Sequence, residues 1–156
     1  MGRVSGASAC EYSDTAKQDF LNTSPITVNS EAFFDFTDWS FGGKIGENAG
    51  YAGKGSGKSG AWDISSVVQS AWDDVMLIFK SGNGTTLTGY MLKDGVTSGT
   101  WNSPFAKDVS HISVYYRDVP ENNPPARVPE PGLMTGLLVA GAAVIAQRQR
   151  KDSSKA

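Results

Sequence analysis

Residues able to act as a nucleophile, a base or a metal ligand are scarce in this chain. Cys10 is the single cysteine and His111 the single histidine among 156 residues. A zinc site built from several His and Cys ligands is therefore excluded. A Ser-His-Asp triad or a Cys-His pair would have to use His111, and no nucleophile-elbow motif surrounds it. One cysteine also leaves no intrachain disulfide.

Carboxylates are the second group that could do chemistry. Asp73-Asp74, combined with Asp35, Asp38 or Asp63, could supply the two acids of a glycosidase. In strand-rich proteins such acids mostly lie on solvated faces or cap turns. We therefore expect no catalytic activity and no cofactor, and a secreted hydrolase using an Asp pair remains an alternative. Calcium bound by Asp side chains and loop carbonyls stays an open alternative, although no EF-hand spacing supports it.

A third chemical signal is the stretch AGKGSGKS at residues 52–59, which matches a loose phosphate-binding loop pattern. A working loop of this kind needs a buried strand before it and a helix after it. The preceding text, GGKIGENAGY, is no such strand, and Gly60 disfavours an immediate helix. Glycine, lysine and serine produce the match by composition, and we interpret residues 42–60 as a long mobile loop.

Aromatic side chains raise the possibility of a sugar-binding surface. Exposed rings can stack on pyranose faces, and neighbours such as Tyr115 and Tyr116 point to opposite faces of a strand. Most aromatics in a small domain belong to its core, so each ring is more simply a core residue. The candidate ligand-binding aromatics are Trp39, Trp62, Trp101 and Tyr115.

The charge distribution argues against nucleic acid as a partner. The last 29 residues hold four of the 14 basic side chains and two of the 16 acidic ones. The remainder of the chain is therefore acidic and offers no basic patch.

The elements that would position these groups are short strands. Phe34 and Phe36 alternate with polar residues, and DVMLIFK at 74–80 is strongly apolar. Three further segments follow with glycine-rich turns between them: TTLTGYMLKDG, VTSGTWNSPF and VSHISVYYRD. Asp94-Gly95 is a hairpin signal. No alternation of strands and helices is present. The pattern predicts an all-β domain over residues 26–118, an antiparallel, jelly-roll-like β-sandwich.

The chain before this domain predicts an irregular lead-in over residues 1–25. It contains Ala7-Ser8-Ala9, the small-x-small pattern that precedes a signal-peptidase cut, without an apolar region ahead of it. We interpret the lead-in as the remnant of a signal peptide, and we expect translation to begin upstream of Met1.

The C-terminal part of the chain has a different organisation. VPENNPPAR at residues 119–127 predicts an extended linker. Residues 132–146 are uncharged and, as a helix of about 22 Å, would fall short of a ~30 Å hydrocarbon core. The segment therefore predicts a single short transmembrane helix that inserts marginally. Arg148, Arg150 and Lys151 would anchor its end on the cytoplasmic side.

Residues 128–156 resemble a known sorting signal. Val128, Pro129, Glu130 and Pro131, followed by a glycine-rich apolar run and a basic cluster, are similar to the PEP-CTERM signal of exported proteins from Gram-negative bacteria and cyanobacteria. The resemblance implies recognition by an exosortase, a membrane-embedded protease, at the inner membrane. Cleavage near Pro-Glu-Pro would then deliver the protein to the cell envelope or to extracellular polysaccharide.

The body of the chain resembles the small β-rich domains that precede such signals in cyanobacteria. DVMLIFKSG, GTWNSPF and SHISVYYRD carry this looser resemblance. The resemblance assigns no chemistry to the domain. We therefore expect an exported envelope or matrix protein, with an extracellular carbohydrate-binding module as the alternative.

Overall fold

The computed structural model describes residues 2–118, and the predicted linker 119–127 and sorting signal 128–156 lie outside the described residues. Within them the protein consists mostly of antiparallel β-strands, which confirms the all-β prediction. The strands are β1 Ala7–Tyr12, β2 Ser40–Lys44, β3 Ala52–Gly53, β4 Ser59–Asp63, β5 Trp72–Ser81, β6 Thr88–Leu92, β7 Ser98–Asn102 and β8 Val109–Asp118. A four-residue helix, α1 (Thr27–Ser30), and a 3₁₀ turn, Phe33–Asp35, precede β2.

The strands form two sheets. The larger sheet has the order β1-β6-β5-β8-β2, and the smaller one has the order β3-β4-β7. β5 and β8 are the long central pair of the larger sheet, with Leu77 opposite Val114. No helix among the described residues has the length and apolar character needed to cross a membrane.

The inner core lies between the two sheets. β4 and β7 each consist of small or polar residues with a single large one, Trp62 or Trp101, and both tryptophans are buried. Trp101 meets Phe79 of β5 edge-on, with ring centroids 5.6 Å apart. Alternation along β5 places Leu77 and Phe79 on this inner face, where burial of apolar surface is the main stabilising term.

The outer face of the larger sheet is covered by residues 26–39, which we call the cover segment. Val28, Phe33 and Trp39 pack from this segment onto Met76 and Ile78 of β5. The indole N–H of Trp39 donates to the carbonyl oxygen of Phe33 at 3.0 Å. β5 is therefore buried on both faces, which explains its unbroken apolar sequence.

The strand expected around Phe34 and Phe36 is wrong. Ala32, Phe34 and Asp35 all have positive φ angles, so the backbone turns tightly there instead of extending. This geometry aims Phe33 into the core, whereas the alternation of the sequence had pointed to Phe34 and Phe36. The long loop expected at residues 42–60 is also corrected, because this stretch contains β3 and parts of β2 and β4.

The lead-in predicted at residues 1–25 contains β1 and is therefore not irregular throughout. Val4 bridges to Trp101 of the smaller sheet, and β1 then pairs with β6 of the larger sheet. Gly6 makes this change of sheet with a φ of 79°, and an added Cβ would lie 2.5 Å from Val96. The N-terminal segment thus joins the two sheets.

The prediction succeeds for the later strands, with one difference at a turn. β6, β7 and β8 lie within the segments that the sequence indicated, and β5 extends the predicted segment 74–80 by two residues at its start and one at its end. Asp94-Gly95 forms a turn as expected, but it connects β6 of the larger sheet to β7 of the smaller one. It is therefore a crossover between sheets and not a hairpin.

Candidate functional site

The four aromatics predicted to bind ligand are core residues. Trp39 is 2% exposed, Trp62 and Trp101 are each 1% exposed, and Tyr115 is fully buried. A ring without an accessible face cannot stack on a sugar. Their burial corrects the sequence-based choice of ligand-binding rings.

A different aromatic pair borders solvent. Trp72, at the start of β5, and Tyr116, near the end of β8, are both half-buried. Their rings stack with centroids 4.1 Å apart and planes inclined by 7°. This pair forms one wall of an open groove that we call the aromatic groove.

The lengths of the strands explain why the groove lies there. β5 and β8 each have ten residues, whereas β4 and β7 have five. At about 3.3 Å per residue, the smaller sheet spans about half the length of the central pair. Ile112 and Val114 of β8 lie in the inner core, and Tyr116 follows them on the same face. The core therefore opens into the groove at Tyr116.

The aromatic groove has a volume of about 480 Å³, within the range typical of small-molecule sites. Nine residues line it, and all are uncharged: Phe41, Gly42, Tyr51, Ser66, Val67, Val68, Gln69, Trp72 and Tyr116.

Glycines at 42 and 43 allow the third ring of the groove to take its place. A Cβ at Gly43 would lie 2.5 Å from the ring of Tyr51, and one at Gly42 would lie 2.7 Å from its hydroxyl oxygen. Tyr51 therefore packs directly on the backbone of β2. Burial, and to a lesser degree the neighbouring Tyr116, raises the pKa of Tyr51, so its hydroxyl keeps its proton and can donate a hydrogen bond.

Several polar groups of the groove are available to a ligand. Within residues 2–118, the Tyr51 and Tyr116 hydroxyls, the Trp72 indole N–H and the Gln69 amide have no side-chain hydrogen bond to another residue. The Ser66 hydroxyl donates to the carbonyl oxygen of Gly50 at 3.1 Å. The groove thus combines flat apolar rings with donors and acceptors at its rim.

A second cluster surrounds a buried carboxylate, Asp19. Its side-chain oxygens lie 2.7 Å from His111 Nε2 and accept from the hydroxyls of Ser113 at 2.6 Å and Tyr115 at 3.2 Å. The three partners alternate along β8 and so share the outer face of the larger sheet. Sequence analysis missed Asp19, because no pattern around it distinguishes it from other acids of the lead-in.

The Asp19 cluster is built as a clamp. Burial alone would raise the pKa of Asp19, but hydrogen bonds from His111 and Ser113, with the attraction of His111, outweigh it and lower the pKa below its ordinary value. Ser113 donates to Asp19 and not to His111, so the order of a nucleophile activated by a base is not formed. Cys10 lies on β1, and two strands, β6 and β5, separate it from His111 on β8.

Two of the candidate aspartates converge on one cation. Asp38 and Asp74 both bind Arg117, whose Nε lies 2.6 Å from one oxygen of Asp38. The guanidinium carbon of Arg117 lies 3.6 Å above the ring centre of Phe36. These two acids are therefore ion-paired with a cation that fixes the cover segment. Asp63 lies on an exposed position and accepts from the Ser65 hydroxyl at 2.6 Å.

Residues 52–59 do not have the surroundings of a phosphate-binding loop. They run from β3 to the start of β4, so a strand follows them where a helix would be needed. Lys58 in this stretch pairs with Asp108 at 3.1 Å. In residues 2–118 no group of three or more His, Cys, Asp or Glu side chains is arranged to hold a metal ion.

Comparison with protein-family models, with curated proteins and with solved structures finds no match to this chain. Function is therefore inferred from the sequence and from the contacts described above.

Proposed function

We propose that the chain is an exported protein of the cell envelope or extracellular matrix, delivered there by a C-terminal sorting signal. The observation that carries the proposal is the order of three features in residues 128–156: Pro129-Glu130-Pro131, an uncharged run, and the basic cluster that ends at Lys151. An exosortase-type protease is the proposed partner, and the inner membrane is a transient one.

Each part of the signal has a physical role. Pro129, Glu130 and Pro131 form a stiff, non-helical recognition site just outside the membrane. Residues 132–146 insert as a short transmembrane helix, and three glycines keep that insertion marginal. Arg148, Arg150 and Lys151 hold the far end on the cytoplasmic side, which places the β-domain outside.

The organisation of the chain supports this division of labour. The last strand ends at Asp118, one residue before the proline-rich stretch 119–127 begins. We propose that this stretch is a spacer and that residues 26–118, together with β1, form a jelly-roll-like sandwich carried as cargo. The cargo has no catalytic activity in this proposal, because the described acids are ion-paired or scattered.

Mass spectrometry of the mature C-terminus tests the sorting proposal. The chain is expressed with an export signal in a host that contains an exosortase, and protein is recovered from the envelope. We expect loss of the end DSSKA and a new C-terminus near Pro129–Pro131. An intact DSSKA end on envelope protein would contradict processing.

The linker provides a matched control. Replacing Pro129, Glu130 and Pro131 with alanine should leave the tail uncleaved and retain the protein in the inner membrane. The same change at Pro120, Glu121 and Pro124, which removes the same residue types about nine positions earlier, should leave cleavage unchanged. Equal cleavage of the two variants would show that the motif is not recognised.

A further inference from the structure

We propose that the aromatic groove is a binding site for a neutral glycan, and that the stacked pair Trp72–Tyr116 is its sugar platform. The inference concerns residues 41–116 and stands independently of the sorting signal.

The platform has the shape that a pyranose ring requires. The two rings are parallel within 7° and their centroids are 4.1 Å apart, so each covers one face of the other, and each half-buried ring keeps its outer face for a ligand. Pyranoses present C–H groups on one face, and these pack on the electron-rich faces of aromatic rings. Core aromatics in this protein meet edge-on instead, as Phe79 does with Tyr90 at 74° and with Trp101 at 71°.

The remaining lining fits sugar hydroxyls. A pyranose has donors and acceptors around its edge, and the groove offers the hydroxyls of Tyr51 and Tyr116, the indole N–H of Trp72 and the amide of Gln69. Ligand sites of this type are mostly apolar with a few placed polar groups. The combination of flat rings and amide or hydroxyl groups is the one observed here.

The absence of charge from the lining selects the class of glycan. Each of the nine lining residues is uncharged. An acidic sugar would give up solvation of its carboxylate without gaining a cationic partner, which is costly even at a half-open site. Neutral hexose units are therefore favoured over uronic acids or sulfated sugars.

Trp72 also defines the direction in which a longer glycan would extend. Trp72 and Val68 line both the aromatic groove and a smaller cavity of about 60 Å³, where Asp73 and Asp94 outnumber Lys93 and so also disfavour an acidic sugar. Because Tyr116 covers one face of Trp72 and lines only the groove, a neighbouring sugar unit in this cavity would lie on the other side of the stacked pair. The platform thus suits an internal stretch of a polymer better than a free monosaccharide.

Binding of defined oligosaccharides to the full chain tests the proposal. The probes are cellohexaose, maltohexaose and mannohexaose, with hexagalacturonic acid as the charged comparator, measured by calorimetry and by tryptophan fluorescence. Three of the four tryptophans are core residues, so a ligand in the groove should change the emission of Trp72 alone. We expect at least one neutral hexasaccharide to bind and the acidic one to bind at least about tenfold more weakly.

Variants locate the binding. Trp72→Ala should weaken affinity by at least about tenfold, because it removes the buried area of the ring as well as its stacking. Gln69 is exposed, so Gln69→Ala should fold as the wild-type protein does and weaken affinity about two- to tenfold. The matched control is Tyr12→Ala, which removes a 63% exposed ring on β1, at the opposite edge of the sheet, and should leave affinity unchanged.

Three results would overturn the proposal. They are failure of every neutral hexasaccharide to bind, equal binding of hexagalacturonic acid, and unchanged affinity in folded Trp72→Ala and Gln69→Ala proteins. A concentration-dependent dimer that Trp72→Ala abolishes would identify a second copy of the chain as the occupant instead. Because none of these readouts involves the C-terminus, failure here leaves the cleavage result untouched.

Discussion

Three side chains of β8 contact the Asp19 carboxylate: the hydroxyls of Ser113 and Tyr115 donate to it, and the imidazole of His111 lies beside it. Removal of this carboxylate should therefore destabilise the fold. Asp19→Asn removes the negative charge and one of the two acceptor oxygens, so a buried group that contacts the carboxylate loses its acceptor. Unsatisfied buried donors cost about 1–3 kcal/mol, so the free energy of unfolding should fall by about that amount. Chemical denaturation of both proteins measures it. Asp14→Asn, at an exposed position of the same segment, is the control and should change little.

Acid should weaken the same clamp. The pKa of Asp19 is lower in the folded protein than its ordinary value of about 3.9, so its contribution is complete above that value. The contribution is lost as pH falls through the lower, folded pKa. The difference in unfolding free energy between the wild-type protein and Asp19→Asn should therefore shrink as pH falls below about 4.

A difference that instead grows below about pH 4 would contradict this assignment. His111 and Tyr115 also face the carboxylate, and burial together with Asp19 raises the pKa of Tyr115 above its ordinary value, so its hydroxyl keeps its proton throughout. The comparison between the two proteins is needed because other carboxylates, such as Asp38 beside Arg117, also have a lowered pKa.

Which tryptophans are buried was partly readable from the sequence. SGAWD and SGTWN each contain one large side chain among small or polar ones, and a strand with one bulky residue turns it toward the core. That reasoning assigns Trp62 and Trp101 to the interior. Exposure of Trp72 was not readable, because it depends on how far β4 and β7 extend along β5.

The cover segment is a layer of the core, although the alternation at Phe34 and Phe36 predicted a strand there. Phe33 is buried against β5 and β6, and a Cβ at Gly89 would lie 2.8 Å from its ring. Phe33→Ala should reduce the free energy of unfolding by about 3–5 kcal/mol. Phe20→Ala removes an equal ring that is 53% exposed and should cost less than about 1 kcal/mol. Equal losses would mean that the cover segment is not packed as described.

Arg117 ties β8 to the cover segment and to β5 at once. Arg117→Lys loses the two-point contact with Asp38 and the stacking on Phe36, and we expect a loss of about 1 kcal/mol because Asp38 is largely exposed. A double-mutant cycle with Asp38→Asn checks the cause. The two substitutions together should cost less than the sum of their separate effects, whereas strict additivity would show that the contact contributes nothing.

Strands with a strong apolar run were predictable, and those with small residues were not. DVMLIFK and VSHISVYY carry enough apolar bulk to identify β5 and β8. ASACEY, which forms β1, consists largely of alanine, serine and cysteine, whereas β-branched and aromatic residues are typical of strands. Its pairing with β6 is decided by tertiary contacts. The residues with positive φ around Phe33, namely Ala32, Phe34 and Asp35, include no glycine that would have marked the turn, so the sequence did not reveal it.

At the scale of the whole molecule, residues 2–118 contain a core that includes both ends of the described chain. A chain that stops after Asp118 should unfold in one cooperative transition with a thermal midpoint close to that of the full chain. Deletion of residues 2–12 should abolish this transition, because it removes β1 and leaves β6 paired only with β5. It also removes Val4, which bridges to the buried Trp101. Calorimetry distinguishes the two outcomes. A cooperative transition in the deletion protein would contradict the role given to β1.

The position of β1 has a consequence for how the polypeptide reaches its native state. Ala7 pairs with Leu92, and Val4 with Trp101, so this segment waits for partners that are synthesised much later than itself. Contacts between such distant residues slow two-state folding. β1 therefore stays without its partner strand while the residues between β1 and β6 are made, and an unfolded segment is what a translocation pore requires of a polypeptide threaded through it.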